Sequence, residues 1–110
     1  MTQTQSVKIY VGVPQTAKLP VYEAKQGNRV TATKMILTNT DTVASKVTIT
    51  LNTIDIMKDI LVAGGETKFL DIAVVMDPND TLSIQQEKQN AVNVTITGVL
   101  ESTFAIPGSY

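Results

Sequence analysis

Apolar side chains return at every second position along much of this chain, and two segments show the rule most plainly: Val47-Thr48-Ile49-Thr50-Leu51 and Val94-Thr95-Ile96-Thr97. Each alternates branched apolar residues with threonine, the pattern of a strand with one face on a core and the other in water. Alternation or β-rich composition predicts strands over residues 7–11, 16–22, 29–38, 46–52, 54–62, 68–76, a short one at Leu82 and Ile84, and 92–100. Turn chemistry separates them. Gly12-Val13-Pro14, Gln26-Gly27-Asn28, Asn39-Thr40-Asp41-Thr42, Ala63-Gly64-Gly65-Glu66 and Asp77-Pro78-Asn79-Asp80 hold the residues that preset or tolerate turn dihedrals. Pro20 places the second strand at an edge or at a bulge, because proline donates no ladder hydrogen bond. In residues 54–62 apolar spacing is mixed around Lys58, but β-branched residues and short length favour strand over helix.

Eight strands with a turn every eight to twelve residues predict an all-β fold, an antiparallel β-sandwich of jelly-roll or Ig-like type. At 110 residues the chain is expected to form a single domain over 1–110, with 1–5 a polar N-terminal arm and 102–110 a C-terminal tail. The tail carries Phe104, Ile106, Pro107 and Tyr110 outside any alternation, so it packs on its own domain or docks on a neighbouring subunit. One strand is unusual. In residues 68–76, Leu70, Ile72 and Val74 take one face and Phe69, Ala73 and Val75 the other. A strand apolar on both faces needs cover on both, here from a second subunit or the tail.

Composition narrows the function. The chain has no histidine, cysteine or tryptophan, and charged residues make up 17% against about a quarter in ordinary domains. Nine basic and ten acidic residues nearly cancel, so copies of the chain repel one another weakly. Its single arginine and scattered lysines build no positive patch, which argues against nucleic acid. The apolar run 72–76 is far shorter than the ~20 residues of a membrane helix, and the N-terminus lacks a charged start and apolar stretch of a secretory signal. No cofactor or metal site is expected. Asp77-Pro78-Asn79-Asp80 reads as a turn, since proline interrupts the candidate calcium ligands and no glutamate follows at loop spacing. Serines such as Ser45 and Ser83 lack an imidazole to activate them. Met35, Met57 and Met76 fall on different segments, as core-filling residues do. No catalytic residue is assigned, and the chain is expected not to be an enzyme.

The order of these features resembles small virion domains of tailed bacteriophages. The resemblance runs through residues 29–39 with their Lys-Met-Ile-Leu-Thr-Asn ending, Val47-Thr48-Ile49-Thr50-Leu51, residues 60–67, the turn at 76–82 and residues 94–101, covering about 15–101. Such tail, baseplate and decoration domains are β-sandwiches; the shoulder domains of lactococcal phage receptor-binding proteins are similar, and those assemble as trimers. The resemblance implies a non-enzymatic structural protein of the virion, in the tail or its tip, made in the bacterial cytoplasm. Its partners would be copies of itself, with three favoured, and other virion proteins, without nucleic acid or membrane insertion. Phe69, Val75, Phe104 and Ile106 are the expected subunit-interface residues. The alternative is a carbohydrate-binding module for host cell-wall sugars, with a surface glycan as partner; its stacking platform would have to come from Tyr10, Tyr22, Phe69, Phe104 and Tyr110.

Overall fold

The computed structural model describes residues 4–102, all of whose regular structure is strand. The strands are β1 (Thr4–Gly12), β2 (Leu19–Glu23), β3 (Asn28–Asn39), β4 (Ser45–Leu51), β5 (Ile54–Val62), β6 (Thr67–Met76), β7 (Thr81–Gln86) and β8 (Val92–Ser102). All eight expected strands are present. The second is shorter than its sequence pattern, starting at Leu19 rather than Thr16. β1 begins within the expected N-terminal arm, because Thr4 and Gln5 pair with Glu101 and Leu100. Residues 1–3 and the tail beyond Ser102 lie outside the described region.

Two antiparallel four-stranded sheets form, ordered β1-β8-β3-β6 and β2-β7-β4-β5. Only β4 and β5 are both consecutive in sequence and neighbours in a sheet; other connections cross between layers or return from a distance. This is the jelly-roll order, so the Ig-like alternative is set aside. Between the layers lie Val30, Met35 and Leu37 of β3, Val47 and Ile49 of β4, Leu82 and Ile84 of β7, and Val92, Val94 and Ile96 of β8, each at most 2% exposed. Each such side chain contributes about 1.5–3 kcal/mol on leaving water. Met35 and Met76 fill this core and Met57 packs at its margin.

Two buried amides close the ends of the sandwich. Asn39 Nδ2 donates to Val43 O at 2.9 Å and Val62 O at 3.0 Å, while its Oδ1 accepts from Asp41 N at 2.8 Å. Gln86 Nε2 donates to Pro14 O and Val92 O, and its Oε1 accepts from Val92 N at 2.9 Å. These bonds satisfy loop carbonyls and amides that burial would otherwise leave unpaired.

The face of β4 opposite the core departs from the sequence pattern. Thr48 and Thr50, expected in water, are 6% and 0% exposed. The reason is β5, whose register shifts twice against β4 and brings Asp55 and Asp59 against these threonines. Thr50 Oγ1 donates to Asp55 Oδ1 at 2.7 Å, and Asp59 N donates to Thr48 Oγ1 at 3.1 Å.

Gly98 sits where β8 meets the bulge of β3 between Ala32 and Lys34. A Cβ there would collide with Thr31 O and come within 2.9 Å of Ala32 Cα, both backbone atoms that cannot rotate away. Gly98→Ala is therefore expected to cost about 2 kcal/mol or more, read as a lower urea midpoint at unchanged slope. Asn39→Leu is expected to cost about 2–3 kcal/mol by the same measurement, because the Val62 and Val43 carbonyls lose their donor.

Candidate functional site

Three surface regions combine shape with chemistry. The first is the outer face of the β1-β8-β3-β6 sheet, where register lines residues into rows. Val11, Thr95, Ile36 and Phe69 form one row across all four strands. Ser6, Val99, Thr31 and Val75 form another. Between them run Lys8, Thr97, Lys34 and Asp71. Lys34 Nζ lies 3.4 Å from Asp71 Oδ1, an exposed pair worth little to stability. Near one end of the face Arg29 binds Asp77 at 2.9 Å and approaches Glu101 at 3.8 Å. The remaining members of these rows are apolar side chains and hydroxyls, so the face is broad and weakly charged.

On this face Phe69 is 72% exposed, Val11 58% and Val75 49%. The two-faced reading of β6 holds within the chain: Leu70, Ile72 and Val74 turn half-buried toward the core, while Phe69, Asp71, Ala73 and Val75 point out. Nothing among the described residues covers the outward set. Sequence reasoning thus located Phe69 and Val75 correctly on one exposed face. Phe104 and Ile106, named with them, lie outside the described residues. Sequence reasoning missed Val11 and Ile36, whose place in the Phe69 row depends on pairing between distant strands.

The second region is the open side of the sandwich, where edge strands β5 and β6 face each other across the layers. A groove of about 430 Å³ runs there, lined by Leu51, Ile56, Met57, Ile72, Val74 and Val75. The exposed Ile54, at 64%, belongs to the same edge. The third region is a polar cleft of about 270 Å³ on the other sheet, lined by Thr16, Lys46, Thr48, Asp59, Gln85 and Glu87 among others.

The acidic residues of the Asp77–Asp80 turn have structural partners. Asp80 Oδ2 accepts from Asp77 N at 2.9 Å inside the Asp77–Asp80 turn, and Asp80 Oδ1 accepts from Asn52 Nδ2 at 3.1 Å. Asn79 adopts φ 75°, a left-handed turn position that asparagine tolerates. The Asp77 carboxylate is held by Arg29. This set serves a turn, as its sequence suggested. Among the described residues no three acidic groups stand close enough to share a metal ion. No helix of the described residues is long and apolar enough to cross a membrane.

Of the aromatic side chains proposed as a sugar platform, Tyr10 and Tyr22 pack against the core, and burial pushes both phenols above their ordinary pKa. Phe69 stands alone as an exposed ring among the described residues. A stacking platform needs adjacent exposed rings; Tyr10, Tyr22 and Phe69 do not form one, and Phe104 and Tyr110 lie outside the described residues.

No protein-family model matches the chain, and no curated protein matches it. Solved structures do. A mutant VP2 protein of infectious bursal disease virus, seen in derived T=1 particles, aligns with TM-score 0.53 at 8% identity, over 92% of this chain and 32% of that one. The exo-β-1,3-galactanase of Phanerochaete chrysosporium, with galactose, aligns at TM-score 0.42 and 11% identity, over 90% of this chain and 27% of the enzyme. The chain thus spans about a third or less of either protein. At such identity the VP2 likeness establishes a shared β-sandwich fold.

Two surface carboxylates make acid stability predictable in sign. The Lys88 ammonium, 2.6 Å away, and the Thr42 amide hold Asp41 below the ordinary carboxyl value of 3.8. The Thr50 hydroxyl, with Lys18 at 3.7 Å, does the same for Asp55. Both groups are ionised more readily folded than unfolded, so their contribution is present above 3.8 and is lost as pH falls through their lowered folded values. Urea midpoints followed through the acid range are expected to fall on that limb, and Asp41→Asn with Asp55→Asn is expected to flatten it.

Proposed function

We propose that this chain is a non-enzymatic structural component of a tailed-bacteriophage virion, in the tail or its tip, acting by self-association. The observation that carries the reading is the outer face of the β1-β8-β3-β6 sheet, where Phe69, 72% exposed, shares a row with Val11 and Ile36, and Val75, 49% exposed, shares one with Val99. Exposed apolar side chains gathered on one face of a small domain point to an interaction site more than scattered single residues do. Low charge supports the same reading, since nine basic and ten acidic residues leave little repulsion between copies. The fold supports it too, because the VP2 protein that shares it assembles into particles. The resemblance to phage shoulder domains adds the tailed-phage setting, a virion location after synthesis in the host cytoplasm, and three copies as the number to look for.

Assembly would work by burying the apolar rows against a second copy or another virion protein. Closed contacts of this sort need no bound group and no titrating residue. Lys46, Asp59 and Glu87 line the polar cleft, and the chain holds no imidazole or thiol to set beside them.

Light scattering and sedimentation test the proposal. The purified chain is expected to have a mass that rises with concentration to a small multiple of 11.9 kDa. Phe69→Ser is expected to keep the fold, since that side chain touches little of the core, and to weaken association by roughly tenfold. A monomer at every concentration reached would defeat the reading. Saturable binding to teichoic acid fragments or on a glycan array would replace it with sugar recognition.

A further inference from the structure

A jelly roll leaves four strand edges open, and edges are where sheets join unless something prevents it. Three of the four here carry such protection. β2 has five residues, contains Pro20 and shifts register beside it. β1 shifts register between Lys8 and Tyr10, with the lysine at the irregularity. β5 shifts register twice, sets Asp59 at φ 55° and presents Asp55, Lys58 and Asp59 along its length. One of its carbonyls is already occupied, since Lys68 Nζ donates to Leu61 O at 2.6 Å.

β6 differs. It has ten residues, and its exposed and half-buried positions alternate without a break from Thr67 to Val75. Its one register shift, against β3, sets Ile72 and Ala73 opposite Thr33 alone and still leaves the alternation of β6 side chains intact. Seven of its ten residues are apolar, and among the described residues no strand pairs with its free side.

We infer that β6 pairs antiparallel with β6 of a second copy, about a two-fold axis through Ile72, joining two outer sheets into one. The inference rests on self-association as the chain's function and names its contact. Charge chooses the register. A two-fold axis normal to the sheet keeps outward residues opposite outward residues, which leaves few registers. One sets Asp71 against the partner's Asp71, like charges directly opposed. A second buries Phe69 against the partner's Asp71. A third sets Asp71 against the partner's Val75 and carries Phe69 past the strand, opposite the partner's Asp77.

The register centred on Ile72 has none of these faults. It places Phe69 against the partner's Val75, Leu70 against the partner's Val74 and Asp71 against the partner's Ala73. Lys68 then meets the partner's Met76. Outside the axis pair, every apolar side chain but Ala73 finds an apolar or aliphatic-stemmed neighbour. Each Asp71 keeps its own Lys34 at 3.4 Å, which offsets the diagonal approach of the two carboxylates. The same pairing extends the apolar groove between β5 and β6 across the axis, because Ile72, Val74 and Val75 line it. A two-fold contact is compatible with a three-fold contact elsewhere, as assemblies that carry both kinds of axis show.

The chain contains no cysteine, so engineered thiols report the contact cleanly. Paired strands hold opposite Cα atoms within disulfide range. Under mild oxidation the double variant Phe69→Cys, Val75→Cys is expected to run as a covalent dimer on a non-reducing gel, and neither single variant is. Ile72→Cys alone is expected to crosslink, because only the axis residue meets its own twin. It also samples the other hydrogen-bonding class of strand pair. Circular dichroism melts of each variant confirm that the fold survives. Crosslinking by Phe69→Cys alone, or none by the double variant and Ile72→Cys while the mass remains that of an oligomer, overturns this contact and leaves self-association standing. A monomeric mass throughout overturns both.

Discussion

Everything in this molecule depends on eight strands each burying one face between two sheets whose hydrogen bonds mostly join strands distant in sequence. Ile49 of β4 and Ile96 of β8 are fully buried in opposite layers, and neither layer is stable without the other. The hydrophobic term sets the thickness, and the ladder sets the alternation. Once that term is satisfied, the architecture still leaves edges and outer faces exposed. A sandwich, unlike a closed barrel, cannot remove its edges.

How the chain treats those exposed surfaces carries its functional meaning. On the β2-β7-β4-β5 sheet the outer face is drawn inward. The bulges of β5 lay Asp55 and Asp59 over Thr50 and Thr48, and Lys18 reaches Asp55 from the start of β2 across the intervening strands. That layer presents charge and a polar cleft. On the β1-β8-β3-β6 sheet, among the described residues, Val11, Phe69 and Val75 remain at the surface beside threonines and the exposed Lys34–Asp71 pair.

Much of this was legible from residues alone, for a definite reason. The strands of β3, β4 and β8 announce themselves because the period of a pleated strand is local, and Val94 and Ile96 carry it without help from neighbours. The two-faced character of β6 was legible for the same reason. The rows were not. Val11 joins Phe69 only through Thr95 and Ile36, a register set by three ladders between strands far apart in the chain. The buried threonines of β4 were misjudged as wet because their cover comes from bulges, and a bulge leaves its mark on pairing more than on composition.

By itself the amino-acid order determined the strand content, the turns, the inward residues and the absence of imidazole and thiol chemistry. These follow from side-chain alternation and turn dihedrals, which act within a few residues. The tertiary structure alone decided the jelly-roll order over the Ig-like one, the buried roles of Asn39 and Gln86, and which strands form the edges. Those depend on which distant strands pair, and that choice is made by the shared core, through contacts no short stretch of sequence contains.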